Sequence, residues 1–346
     1  MIYFNSDYLE GAHPAIMEKL VKTNMTQTVG YSEDEYCAAA REKVKAACQA
    51  PDADVHFLVG GTQTNTTVIA SVLRPYQGVL TAVSGHINCH ETGAIESTGH
   101  KVLALPSDDG KITAKQVDEY FVWHRDNPDY EHIVMPGMVY ISYPTEGGTL
   151  YSKQELTDIY AVCQKHGMPL YIDGARMGYG LMSDEADLTL PEIAKLCDIF
   201  YIGGTKVGAL FGEAVVVLNP ELKKHFRFYM KQRGGMLAKG RLLGIQFDTL
   251  FTDDLYFKIS RHAIDMAHQI REIFVEAGYP LLFDSPTNQQ YPIMLDSELA
   301  EIGKNFGYEY WERVDETHSG VRFCASWATT QENVDALREA VKALKK

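Results

Sequence analysis

The sequence predicts an α/β protein with a large domain built on a mostly parallel seven-stranded sheet and a smaller α+β domain at its C-terminal end. Three observations lead there. From about residue 55 short, nearly continuous apolar stretches recur: "VHFLV", "GVLTAV", "KVLALP", "MVYIS", "PLYID", "DIFYIG" and "EAVVVL". Helix-patterned segments such as "TNTTVIASVLR", "ITAKQVDEYFVWHR" and "KQELTDIYAVCQKHG" fall between several of them. Strands that are apolar on both faces and alternate with helices belong to a parallel sheet covered on both sides. Later in the chain the alternation gives way to helices, then short strands and a last helix, "TQENVDALREAVKALKK".

In chain order, residues 1–50 read as a helical segment packing on the domains, because "PAIMEKLVKTNM" and "EYCAAAREKVKAACQ" carry apolar positions at helical spacing. Residues 51–240 form the large domain and residues 241–346 the small one. The net charge is -14, with 46 acidic against 32 basic residues. That balance argues against nucleic acid and anionic membranes as partners. No apolar run is long enough for a membrane span, and the first residues lack a secretory pattern. The six cysteines are scattered, with no CxxC pair and no Cys/His metal spacing. They read as reduced thiols of a cytoplasmic protein, and no metal site is expected.

Ligands of open α/β sheets bind beyond the carboxyl ends of the strands. Three such ends carry unusual residues. After "VHFLV" comes Gly60-Gly61-Thr62 and then a helix. Bare amides at a helix start hold anions such as phosphate, although a plain turn capped by Thr62 fits as well. "PLYID" ends in Asp173, followed by Gly174-Ala175-Arg176. A carboxylate there needs a cationic partner or a ligand, unless it only caps a turn. "DIFYIG" leads into Gly204-Thr205-Lys206. A lysine in a glycine turn either reaches solvent or, desolvated in a cleft, becomes a nucleophile able to form an imine. A phosphate cradle, a buried carboxylate and an imine-forming lysine together are what pyridoxal 5'-phosphate requires.

The ordered motifs "YSED", "GGTQTN", "GHINCHETGA", "GTLYS", "YIDGARMG" and "GGTKVGALFGEAVV" resemble the threonine aldolase/aromatic β-eliminating lyase family, most closely the low-specificity threonine aldolases. The resemblance runs from "FNSDYLEGAHP" to "GVRFCASWATTQENV" and is weak between about 240 and 310. It implies the pyridoxal-phosphate-dependent transferase-like fold, fold type I. It implies Lys206 as the cofactor-linked lysine, Asp173 at the ring nitrogen, and His86 stacked on the ring. Gly60, Gly61, Thr62 and Thr205 would lie against the cofactor. Arg176 would serve the cofactor or the substrate carboxylate, Arg322 and Ser6 the substrate carboxylate. Tyr31 would belong to an active-site loop offered by a neighbouring subunit, in a homodimer or homotetramer with its site at the interface.

The activity implied is cleavage of a β-hydroxy-α-amino acid of the threonine, allo-threonine or phenylserine type to glycine and an aldehyde. β-Elimination, transamination and racemisation use the same lysine and aspartate and stay open. A non-catalytic scaffold is disfavoured because both residues are present. A nucleotide-binding dehydrogenase lacks its glycine fingerprint. Two departures from the family pattern stand out. "ISYPTEGGTLYS" has no histidine where many members place one near the substrate hydroxyl, and the chain begins "NSDYLEGAHP". The catalytic base is therefore open among Glu146, His90 and water.

Overall fold

The computed structural model describes residues 1–345. Seven strands form the main sheet in the spatial order Asp54–Leu58, Glu213–Val217, Ile199–Gly203, Leu170–Asp173, Met135–Ser142, Gln77–Ala82 and Lys101–Leu105. Only Glu213–Val217 runs antiparallel to its neighbours. The central strands are buried on both faces, which is why they read as unbroken apolar runs.

The connecting helices begin where side chains satisfy their free amides. Thr113 and Ser152 each form a capping box ahead of Ala114–Asp126 and Lys153–His166. The second of these buries Leu156, Ile159 and Cys163 along one face, against the sheet. Gly61–Val72 differs: Gly60 stands at its N-cap and no side chain caps it. The alternative of a Thr62 cap does not hold, because Thr62 already lies inside the helix.

The N-terminal segment packs on both domains. Ile16, Cys37, Ala40 and Val44, from helices Pro14–Thr23 and Glu35–Cys48, enter the core of the large domain. Phe4 enters that of the small one, beside a short strand, Ile2–Tyr3, that pairs in parallel with Phe306–Gly307. The small domain is an antiparallel sheet of Ile293–Leu295, Glu309–Arg313 and His318–Cys324, extended by Gln289–Gln290 and covered by Gln331–Leu344.

The two cores divide inside one helix, Leu255–Glu276. Tyr256, Ile259, Ala263 and Ile264 belong to the large core, and Ile270, Ile273 and Phe274 to the small one. Helix Arg241–Leu250 also packs into the large core through Leu243, Phe247 and Leu250. A change of periodicity near residue 240 marks where strands stop alternating with helices. It does not mark which core the next helices face. No helix among the described residues is long and apolar enough to cross a membrane.

The turns after two central strands interlock. Gly203 N–H donates to Gly174 O at 2.8 Å. A Cβ on Gly203 would lie 2.2 Å from Ala175 O, and one on Gly174 would lie 2.0 Å from Tyr201 O. These obstructions are backbone atoms, which cannot rotate away. Gly203→Ala is expected to destabilise the protein by about 3 kcal/mol, read as a lower urea midpoint. A midpoint equal to that of the parent chain would show the turns to be looser than described.

Candidate active site

The carboxyl ends of the sheet strands open into a cavity of about 310 Å³. Gly60, Gly61, Thr62, His86, Asp173, Arg176, Thr205 and Lys206 all line it, together with Tyr8, Glu146, Tyr201 and Glu213. A second recess shares Tyr8, His86, Glu146, Arg176 and Lys206, and adds His90, Glu309, Trp311 and Arg322.

Asp173 is buried and receives four hydrogen bonds. Tyr201 Oη donates to Oδ1 at 2.5 Å and Ala175 N–H at 3.0 Å. Tyr140 Oη donates to Oδ2 at 2.6 Å and Asn65 Nδ2 at 3.1 Å. The tyrosines stand on the two strands flanking that of Asp173, so strand pairing itself builds the cradle. Asn65 comes from helix Gly61–Val72, whose first amides have no intrahelical acceptor and lie at the cavity.

Lys206 sits in a turn closed by Gly204 and Thr205 N–H groups donating to Gly212 O. Burial depresses its pKa, and the Arg176 charge depresses it further, against a partial pull from Asp7 and Asp173. The amine is thereby biased toward the neutral, nucleophilic form. Its nitrogen lies 5.9 Å over the Tyr8 ring. Glu213, from the antiparallel strand, accepts from Gly204 N–H at 3.0 Å and Thr205 Oγ1 at 2.8 Å, anchoring the turn.

His86 opens a short helix, His86–Cys89, and its Nδ1 lies 2.7 Å from Glu91 Oε1. The same oxygen accepts from Asn65 Nδ2 at 2.7 Å, so a buried chain runs from His86 through Glu91 and Asn65 to Asp173. Burial opposes a charge on His86, but the Glu91 hydrogen bond and the Asp173 charge outweigh it and raise its pKa. Glu146 Oε1 accepts from Ser142 Oγ at 2.7 Å and His86 N–H at 2.9 Å. Burial pushes its pKa up. Burial and the neighbouring His86 push that of His90 down.

The two arginines are held differently. Arg176 is gripped by Asp7, Nε to Oδ2 at 2.6 Å and Nη2 to Oδ1 at 3.0 Å. Burial alone would raise the Asp7 pKa, but Arg176 and Lys206 bring it well below the usual carboxylate range. Arg322 donates to neutral acceptors, Gln289 Oε1 at 3.0 Å and Asn5 O at 3.1 Å, and its nearest carboxylate oxygen in Glu309 is 3.8 Å away. Among the described residues its buried Nε has no hydrogen-bond partner.

Ser6 is buried beside Asp7, but its hydroxyl has no partner and it does not line the cavity. Tyr31 is half-exposed, packs against Lys231 at 4.7 Å, and does not line the cavity of its own chain. Sequence reasoning missed Asp7, Asn65, Glu91, Tyr140, Tyr201 and Glu213. Asp7, Asn65, Glu91 and Glu213 all lie inside the motifs "FNSDYLEGAHP", "GGTQTN", "GHINCHETGA" and "GGTKVGALFGEAVV".

The chain matches the family model described as beta-eliminating lyase over residues 4–340. It is 43% identical to a solved threonine aldolase of Leishmania major, with a TM-score of 0.97 and full coverage of both chains. It is 28% identical to the low specificity L-threonine aldolase of Pseudomonas sp. strain NCIMB 10558, covering 99% of this chain and 97% of that one. The fold also matches cystalysin of Treponema denticola, a structure that contains pyridoxal 5'-phosphate, at TM-score 0.72 and 16% identity, over 99% of this chain and 92% of that one.

The Glu91–His86 pair makes a pH prediction. With its charged partner removed in Glu91→Gln, the His86 ring is expected to titrate at lower pH than in the parent chain. Nitrogen-15 NMR of the imidazole reads this directly. An unmoved His86 titration would mean that Glu91 does not set its charge.

Proposed function

The chain belongs to the beta-eliminating lyase family, and from that premise we propose that it is a pyridoxal-phosphate-dependent carbon–carbon lyase of the threonine aldolase type. It cleaves a β-hydroxy-α-amino acid into glycine and an aldehyde. The observation that carries this reading is that one cavity holds Lys206, Asp173, His86 and the uncapped start of helix Gly61–Val72, and adjoins Arg322.

The donor set fits the cofactor. The amides of Gly61 and Thr62 at the free helix end suit a phosphate group. Asp173, its carboxylate anchored by four donors, would face the ring nitrogen. His86 would lie on the ring, and Lys206 would bond to the aldehyde carbon. When bound there, the cofactor supplies an electron sink for the pair released as the Cα–Cβ bond breaks.

The remaining work falls to the chain's own side chains. Arg322, with an unused Nε and no tight carboxylate partner, takes the substrate α-carboxylate. Arg176 is already neutralised by Asp7 and helps to shape and orient that end of the cavity. Lys206, whose proton affinity is lowered by burial and by the Arg176 charge, takes up and returns protons at its Nζ. Glu146 is our choice for the group that takes the β-hydroxyl proton. Its raised pKa brings its basicity closer to neutral pH, and Ser142 and His86 N–H hold its Oε1 at the cavity wall.

We further propose a cytoplasmic homodimer or homotetramer. The six free thiols favour the first point. Exposed apolar side chains favour the second: Met25 is 88% and Phe228 75% exposed, and Val21 and Val29 are also open. In such an assembly Tyr31 would serve a neighbour's site.

The test is product analysis with L-allo-threonine, L-threonine and phenylserine. Glycine and the matching aldehyde are expected in equal amounts, and no aldehyde from any of the three would overturn the aldolase reading. Glu146→Gln is expected to lower kcat by about 10²–10³ with KM changed only a few-fold. An unchanged kcat would remove Glu146 from its role.

A further inference from the structure

Thr205 and Glu213 form a hydrogen-bonded unit at the cavity wall, next to Lys206. A hydroxyl has one proton to give and two lone pairs. Thr205 Oγ1 accepts from Gly212 N–H at 3.0 Å and lies 2.8 Å from Glu213 Oε1. Glu213 Oε2 accepts from Gly204 N–H at 3.0 Å. While Glu213 is ionised it has no proton, so Thr205 must donate its only one to it. The hydroxyl then offers nothing to an incoming anion, and a carboxylate charge stands beside that anion's place.

We propose that Glu213 is a proton-linked positioning residue for the cofactor phosphate: on taking a proton from solvent it donates to Thr205 Oγ1, and the Thr205 hydroxyl proton turns into the cavity toward the phosphate. No heavy atom has to move. Oε1 and Oγ1 keep their separation, and only the direction of the bond between them reverses. Binding of the phosphate and protonation of Glu213 thus favour each other.

The environment makes this proton available near neutrality. Burial raises the Glu213 pKa to about 8, against the lowering effect of its bonds to Thr205 and Gly204 and of the Lys206 charge. The other charged or titratable groups around it are Asp173, Tyr171, Tyr201 and Tyr256. The tyrosines all have raised pKa values and stay neutral over the range concerned. A phosphate monoester has its second pKa at about 6, so it stays dianionic from about pH 7.5 upward. Lys206 and His86, which line the same cavity, are the other groups able to give a pH dependence, and the experiment separates Glu213 from both.

The inference rests on the pyridoxal-phosphate reading. The probe is pyridoxine 5'-phosphate, which has no aldehyde and forms no bond to Lys206. It is titrated into the full chain freed of cofactor, by calorimetry in buffers of different ionisation enthalpy. Affinity is expected to fall about tenfold between about pH 7.5 and about pH 9, with net proton uptake on binding. Pyridoxine, which shares the ring titration but lacks the phosphate, is expected to show no such fall.

In Glu213→Gln the amide donates permanently to Thr205 Oγ1 while its oxygen still accepts from Gly204. This variant is expected to bind the probe tightly at both pH values. Thr205→Val is expected to bind weakly at both, which keeps the test sound if the first variant fails to fold. A fall of equal size in Glu213→Gln and the parent chain would assign it to Lys206 or His86 and overturn the inference, while leaving the cofactor reading intact. Failure of the parent chain to bind pyridoxal phosphate itself would overturn both.

Discussion

The active-site end of this protein depends on burying one carboxylate. Asp173 ends a central strand, where an unsolvated charge is costly unless its lone pairs are filled. Four donors offset much of that cost, from the two flanking strands, from helix Gly61–Val72 and from the turn after Asp173 itself. Tyr140 and Tyr201 stand on the flanking strands, so the carboxylate ties three strand ends together. A register slip of one residue would turn those hydroxyls to the other face of the sheet. Asn65 brings the start of helix Gly61–Val72 to the same point and passes the connection through Glu91 to His86. The helix end, the carboxylate and the imidazole are thus placed by one buried network.

Charge is balanced across the cavity in pairs. Asp7 cancels Arg176, and Glu91 supports His86. Glu213 braces the turn of Lys206 without contacting its nitrogen closely enough to pair with it. Arg322 has neutral close partners, Glu309 only at 3.8 Å, and an unused Nε, so its charge is less compensated than that of Arg176. The same balance accounts for Lys206. An amine surrounded only by carboxylates would be held as ammonium, but burial and Arg176 work against that charge.

Much of this was legible in the sequence, because it is written in local pattern. The strand runs, the glycine turns and the placement of Gly60–Thr62, Asp173 and Lys206 at strand ends all follow from spacing. What was hidden lies in contacts between distant positions. Asp7 holds Arg176 across 169 residues, and Asn65 reaches Asp173 across 108. Glu213 looked like the first residue of an apolar strand, and nothing in the spacing says that its side chain faces the lysine turn. Helix Leu255–Glu276 reads as one amphipathic element, although its two halves serve different cores. Periodicity reports that a face is buried and not what buries it.

The proposed chemistry turns on one bond, from Lys206 Nζ to the aldehyde carbon of pyridoxal phosphate, in the cavity that Asp173 organises. Borohydride reduction of the cofactor-loaded protein, followed by peptide mass spectrometry, tests it most directly. A single phosphopyridoxyl group is expected on the peptide carrying Lys206, and none on that peptide in Lys206→Ala. A label on another lysine, or no label in a protein that shows the cofactor's absorbance, would contradict it.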